Sequence, residues 1–149
     1  MSHDVARLRR AYTHTLLLAG RQYRRAANVV TERYGLSDAT GLPLLLIGRH
    51  GGEPRQNALA DAVGIEGASL VRLLDQLCAA GLVLRKEDPT DRRAKVLSLT
   101  AEGRAVVARM EADLEDLRAA IFGEVESSDI EASLRVFAAL QRYTGEATP

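Results

Sequence analysis

The sequence predicts a mainly α-helical fold with one small β-hairpin: a winged helix-turn-helix flanked by N- and C-terminal helices of the kind that make dimers. Three observations carry this. Residues 82–99, LVLRKEDPTDRRAKVLSL, form two short apolar-alternating runs around a tip that gathers Arg92, Arg93 and Lys95 about Asp91, the pattern of a hairpin with a basic end. Immediately upstream, residues 56–77, QNALADAVGIEGASLVRLLDQL, are two short helical patterns joined at Gly64. Both ends of the chain carry apolar residues at steps of three and four, as amphipathic helices do.

Taken in order, the first helix is marked by Val5, Leu8, Tyr12, Leu16, Ala19, Tyr23, Ala26 and Val30, with no proline to interrupt it. Its apolar face is longer than one small domain can bury. Residues 37–50 predict a second helix, with Ser37 and Asp38 as candidate caps, Pro43 about one turn in, where its missing N–H costs little and bends the helix slightly, and Gly51-Gly52 as its end. In the third, Leu59, Ala62 and Val63 face inward, while Ala60 is small enough to let the next helix cross closely. Gly64 makes the turn, because glycine enters left-handed backbone geometry without a steric penalty. The fourth helix packs through Leu70, Leu73, Leu74 and Leu77, and Ser69, Arg72 and Gln76 lie on its other face, free for a major groove. Gly81 stops it and Leu82 begins the hairpin. Beyond the hairpin, Val107, Met110, Leu114, Leu117 and Ile121 mark a fifth helix, and Ser128 to Glu131 read as a capping box ahead of Ile130, Leu134, Phe137 and Leu140 in the last.

A helix-turn-helix followed by a basic hairpin is a unit that reads double-stranded DNA. The formal net charge of zero does not oppose this, because distribution outweighs the total. Residues 1–33 hold seven arginines against two acids, whereas residues 111–149 hold three arginines against nine acids. Near the hairpin, Arg72, Arg85, Lys86, Arg92, Arg93 and Lys95 outnumber Asp75, Glu87, Asp88 and Asp91. Catalysis finds no support: His3, His14 and His50 lack metal-ligand spacing, no cofactor motif is present, and the acid pair Glu115 and Asp116 is an exposed helix face. The string GRHGG follows a helix rather than a strand and lacks phosphate-loop spacing. No apolar run reaches membrane-spanning length and no secretory leader opens the chain, so the default location is the cytoplasm, and the single Cys78 suits a reducing compartment.

The string DPTDRRAKVLSLTAEG, residues 88–103, resembles the wing signature of the MarR family of bacterial winged-helix regulators and the start of that family's fifth helix. GIEGASLVRLLDQL, residues 64–77, is especially similar to the SlyA branch of the family. The resemblance is specific over residues 59–100 and looser over 16–140. It implies one domain over residues 1–149, in which 1–35 and 104–149 are interlocking dimerisation helices and 36–100 form the winged helix-turn-helix lobe, with the wing at about 85–96.

Such a homodimer would place residues 70–76 in a major groove, with Ser69, Arg72 and Gln76 as the contacting side chains. Arg93 would enter the neighbouring minor groove at an A·T-rich tract, Asp91 would orient Arg93 by a charge-assisted hydrogen bond, and Arg92 and Lys95 would meet phosphates. Two-fold symmetry implies an inverted-repeat operator. The resemblance also implies a pocket for a small aromatic carboxylate, with Arg21 and Arg24 as its basic partners, although Gly41 and Leu45 stand where the SlyA branch carries a tryptophan and a histidine. Two other readings are a redox-sensing regulator acting through Cys78 and a winged-helix module that binds protein.

Overall fold

Residues 2–145 are described by the structure, a computed structural model. In chain order its elements are α1 (Ser2–Glu32), α2 (Asp38–Arg49), α3 (Gln56–Val63), α4 (Gly67–Ala79), β1 (Val83–Glu87), β2 (Lys95–Leu99), α5 (Ala101–Phe122) and α6 (Ser127–Thr144). The fold is therefore mainly helical with one antiparallel hairpin, as the sequence predicts. The chain divides into two units, one ending at Leu114 and one beginning at Glu115.

In the first unit the core gathers where α2, α4, the hairpin and the first part of α5 bring aliphatic side chains together. Leu44, Leu70, Leu74, Leu77, Leu97 and Met110 are all but sealed from solvent. Full burial of a leucine is worth about 1.5–3 kcal/mol, so this cluster outweighs the weak propensities of such short helices. The predicted stripe of α4 is present, except that Leu73 is only half-buried. In α3, Leu59 and Ala60 are buried, but Ala62 is exposed, because a helix of eight residues presents only a narrow inward face. Gly64 closes α3 at φ 77°, and its N–H and that of Ile65 both donate to the Ala60 carbonyl, at 2.9 and 3.2 Å.

Ser37 caps α2 in a reciprocal capping box with Thr40. The helical ladder has already begun at Gly41, whose N–H donates to the Ser37 carbonyl at 2.8 Å. Pro43 thus stands inside the helix rather than among its free first N–H groups, and the Ala39 carbonyl loses its intrahelical donor, contrary to the small cost the sequence suggests. Side-chain ties join this region to α5: the Tyr34 hydroxyl donates to Asp113 at 2.5 Å, and Arg49 grips Glu111 through two nitrogens at 2.6 and 3.0 Å. The hydrogen bond to Asp113 holds the Tyr34 hydroxyl pKa above its ordinary value.

The hairpin pairs Val83 with Leu99 through Glu87 with Lys95. Its strands fall within the residues 82–99 that the alternating runs predict. Thr100 joins the hairpin to α5: its N–H donates to the Leu82 carbonyl at 3.0 Å, its hydroxyl donates to the Gly81 carbonyl at 2.6 Å, and the same oxygen accepts from the Gly103 N–H at 2.9 Å.

The stripe of α1 is present but largely uncovered in the single chain. Val30 is buried, Leu16 and Ala26 are half-buried, and Val5, Leu8, Tyr12 and Tyr23 are exposed. In the second unit, α6 starts at Ser127 with Glu126 as its N-cap and no side-chain capping bond. Ser128 and Glu131 therefore lie inside the helix and make no capping box there, because the helix begins two residues earlier than that motif requires. No residue of α6 is buried, and Leu134, Leu140 and Tyr143 are widely exposed. The expected C-terminal segment runs to 149, and its residues 146–149 lie outside those described. Among the described residues, no helix is long and apolar enough to cross a membrane.

Candidate nucleic-acid interface

Burial of Leu70, Leu74 and Leu77 fixes the rotation of α4 and so decides which side chains face outward. At 100° per residue the opposite face carries Ala68, Arg72, Asp75, Gln76 and Ala79, all exposed, with half-buried Ser69 at its margin. Arg72 and Gln76 are thus where the spacing puts them. Leu70 and Leu74, although inside the predicted groove segment, point into the core. Asp75, counted among the acids near the hairpin but not placed on this face, lies three residues after Arg72, and the same spacing reveals it.

That aspartate is not left bare. Arg85 of β1 places two guanidinium nitrogens 3.0 Å from a single carboxylate oxygen of Asp75, which ties the helix to the hairpin and neutralises a charge that would repel phosphates. Arg85 is consequently not the free cation that a charge count makes it. Lys86 pairs with Glu53 at 2.5 Å and Lys95 with Glu87 at 3.8 Å. These ion pairs leave Arg72 and Arg92 as the unpaired cations of this surface among the described residues.

At the tip, Arg93 is 94% exposed and its Nε stands 3.6 Å from Asp91. The Asp91 carboxylate instead accepts from the Arg93 backbone N–H, at 3.0 Å. Asp91 therefore shapes the loop directly and touches the guanidinium only as a loose ion pair, rather than gripping it through a side-chain hydrogen bond as the sequence suggests.

Beneath the tip lies a contact that sequence reading missed. Asp88 is buried, and one of its carboxylate oxygens accepts from the Thr90 N–H at 2.8 Å and the Thr90 hydroxyl at 2.7 Å. The other accepts from Arg55 Nε at 2.8 Å, and Arg55 Nη2 stands 2.8 Å from it as an ion pair. The Thr90 hydrogen bonds, followed by the Arg55 charge, hold the Asp88 pKa below its ordinary value, so the group is a carboxylate at neutral pH. Arg55 is also the N-cap residue of α3 and bridges Val96 of β2.

Elsewhere, Arg21 and Arg24 are exposed on α1, and Arg24 stands 4.0 Å from Asp38. Gly41 and Leu45 are buried in α2. A side chain at Gly41 would meet the Thr31 methyl at 2.8 Å, so the close approach of α1 to α2 explains why no tryptophan stands there. Cys78 is half-buried behind Leu77, and among the described residues no group of ligands could hold a metal ion.

The MarR family model matches residues 34–94, which run from the end of α1 through the wing loop. The solved structure of the transcriptional regulator PA3341 is 34% identical over 88% of this chain and 98% of its own, with a TM-score of 0.77. A MarR-family transcriptional regulator from Rhodococcus sp. RHA1 is 25% identical over 90% of this chain and 92% of its own, with a TM-score of 0.76. A cysteine-to-serine variant of MarR from E. coli, solved in complex with operator DNA, shares the fold at 19% identity over 86% of this chain and 91% of its own, with a TM-score of 0.77.

Proposed function

The chain belongs to the MarR family of DNA-binding transcriptional regulators, and from that premise we propose that it acts in the cytoplasm as a homodimer, placing α4 in a major groove and the hairpin tip in the adjoining minor groove of an inverted-repeat operator. One observation carries the reading: a nearly fully exposed Arg93 ends a basic tip in the same unit as the outward polar face of α4. Arg72 and Gln76 are the candidates for base edges, and Ser69 for a phosphate beside them. Arg92 and Lys95 take phosphates, and Lys95 gives up its long contact with Glu87 to do so. A narrow A·T-rich minor groove suits Arg93, because its negative potential is deepest there. The GIEGASLVRLLDQL string of α4 supports a place near the SlyA branch.

The direct test is Arg93→Ala on operator fragments selected from genomic DNA. The substitution is expected to weaken binding by about 1–3 kcal/mol, the scale of a good groove contact, with no change in thermal stability. Unchanged affinity in a folded variant would remove the minor-groove role.

Control by a small aromatic carboxylate is the finer part of the reading. Arg21 and Arg24 lie one turn apart on α1, both open to solvent, and an acid bound there would compete with Asp38 for Arg24. The buried Gly41 and Leu45 provide no aromatic or imidazole partner, so the arginines must carry recognition. Salicylate-type acids are expected to lower operator affinity by about 1–3 kcal/mol at saturation, the usual size of such coupling, and Arg21→Ala should blunt the response. If the parent ignores these acids, or the variant answers them equally, Arg21 is a surface charge only.

A further inference from the structure

The wing tip is poorly fixed by its own contacts. The backbone bonds of the loop, from Asp88 N–H to the Ala94 carbonyl, from Asp91 N–H to the Asp88 carbonyl and from Ala94 N–H to the Asp91 carbonyl, bind the loop to itself and not to the rest of the protein. Three side-chain links run outward from the wing: Lys86 to Glu53, Arg85 to Asp75, and Asp88 to Arg55. In the first, both partners are about half-exposed, and in the second Asp75 is 60% exposed, so water competes for these pairs. The third differs, because the Asp88 side chain is only 9% exposed and its two oxygens take three hydrogen bonds and a further ion-pair contact.

We propose that Asp88 is the positioning residue of the wing: by binding Thr90 on one oxygen and Arg55 on the other, it locks the loop that carries Arg93 to the start of α3. The geometry makes the coupling specific. Thr90 stands three residues before Arg93 in the same loop. Arg55 is the residue from which α3 springs, and α3 leads through Gly64 into α4. The Leu97 N–H bond to the Pro54 carbonyl holds β2 beside the start of α3, and the Asp88 carboxylate extends that tie to the loop, and so to the reach of Arg93 relative to the outward face of α4. Both groove contacts must be made together, so a tip that wanders relative to α4 loses affinity although every DNA-facing side chain is still present. The proposal rests on the reading that Arg93 enters a minor groove.

A double-mutant cycle on operator affinity separates the two ideas, with thermal stability recorded for each protein. Arg93→Ala alone and Asp88→Ala alone are each expected to weaken operator binding, by roughly 5- to 150-fold for the former and by less for the latter. In the Arg93→Ala background, Asp88→Ala should cost clearly less than it does with Arg93 present, since only the phosphate contact of Arg92 is then left to misplace. Arg55→Gln opens the same lock from its half-exposed side and is expected to reproduce the pattern, which keeps the test available if Asp88→Ala fails to fold. Asp88→Asn keeps one acceptor oxygen and should fall between parent and Asp88→Ala. If Asp88→Ala and Arg55→Gln cost as much with Ala at position 93 as with Arg, the lock does not act through Arg93 and the proposal falls while the minor-groove reading stands. If Arg93→Ala alone costs nothing, the minor-groove reading fails and the proposal with it.

Discussion

Removal of residues 1–18 is expected to lower operator affinity by about 10³-fold or more, toward the level of non-specific binding, because the shortened chain would no longer hold two α4 helices at fixed spacing. α1 carries Val5, Leu8, Tyr12, Leu17 and Leu18 exposed in the single chain, and α6 leaves Leu134 and Leu140 exposed as well. Scattered exposed leucines are ordinary, but a stripe repeated over several turns, as each of these helices carries, is penalised by water. A second copy covers it in the proposed homodimer. Neither α3 nor α4 would be altered by the deletion, so any loss of DNA binding comes from the missing symmetry rather than from damaged contacts. Sedimentation should show a dimer for the full chain and monomer or aggregate for the shortened one. A folded, monomeric full-length chain at micromolar concentration would defeat the homodimer reading outright.

How much of this was legible in the sequence depends on the range of each contact. Gly64, the Leu70, Leu74 and Leu77 stripe and the hairpin are local patterns, set by backbone permissiveness and by periods of 3.6 and 2, and the structure shows each of them. The outward face of α4 was legible to the same extent, Asp75 included, since its spacing from Arg72 puts both on that face. Asp88 was not. Its significance lies in Arg55, 33 residues away, and nothing in the string around DPTDRR distinguishes a buried acceptor from one more solvated acid at a charged tip. The capping motif at Ser128 shows the reverse failure. Its residue types were right, but the helix starts at Ser127, and a cap works only at the boundary itself. Arg85 fails for another reason: charge counting treats every cation as available, while the nearest carboxylate in space decides which ones are.

Gly103→Ala is expected to destabilise the protein by about 3 kcal/mol, at or beyond the upper end of ordinary overpacking, and so to lower Tm by roughly 6–12 °C. A Cβ at Gly103 would lie 2.0 Å from the Leu82 carbonyl oxygen. No rotamer change relieves that contact, because the obstacle is backbone. Leu82 is itself held at both polar groups, its N–H donating to the Leu77 carbonyl and its carbonyl accepting from Thr100, both at 3.0 Å. Relief therefore means drawing α5 away from the base of the hairpin and straining the Thr100 bonds that start the helix. The same substitution at Gly20 provides the contrast: within the single chain no atom lies within 4 Å of its would-be Cβ and the position is mid-helix in α1, so helix propensity makes alanine there stabilising by about 0.5–1 kcal/mol per chain. Thermal unfolding of the two variants beside the parent decides the matter, since helix propensity alone would make both changes stabilising. A Gly103→Ala protein that melts with or above the parent would mean that α5 can leave the Leu82 carbonyl at little cost, and that the junction between wing and helix is looser than its hydrogen bonds imply.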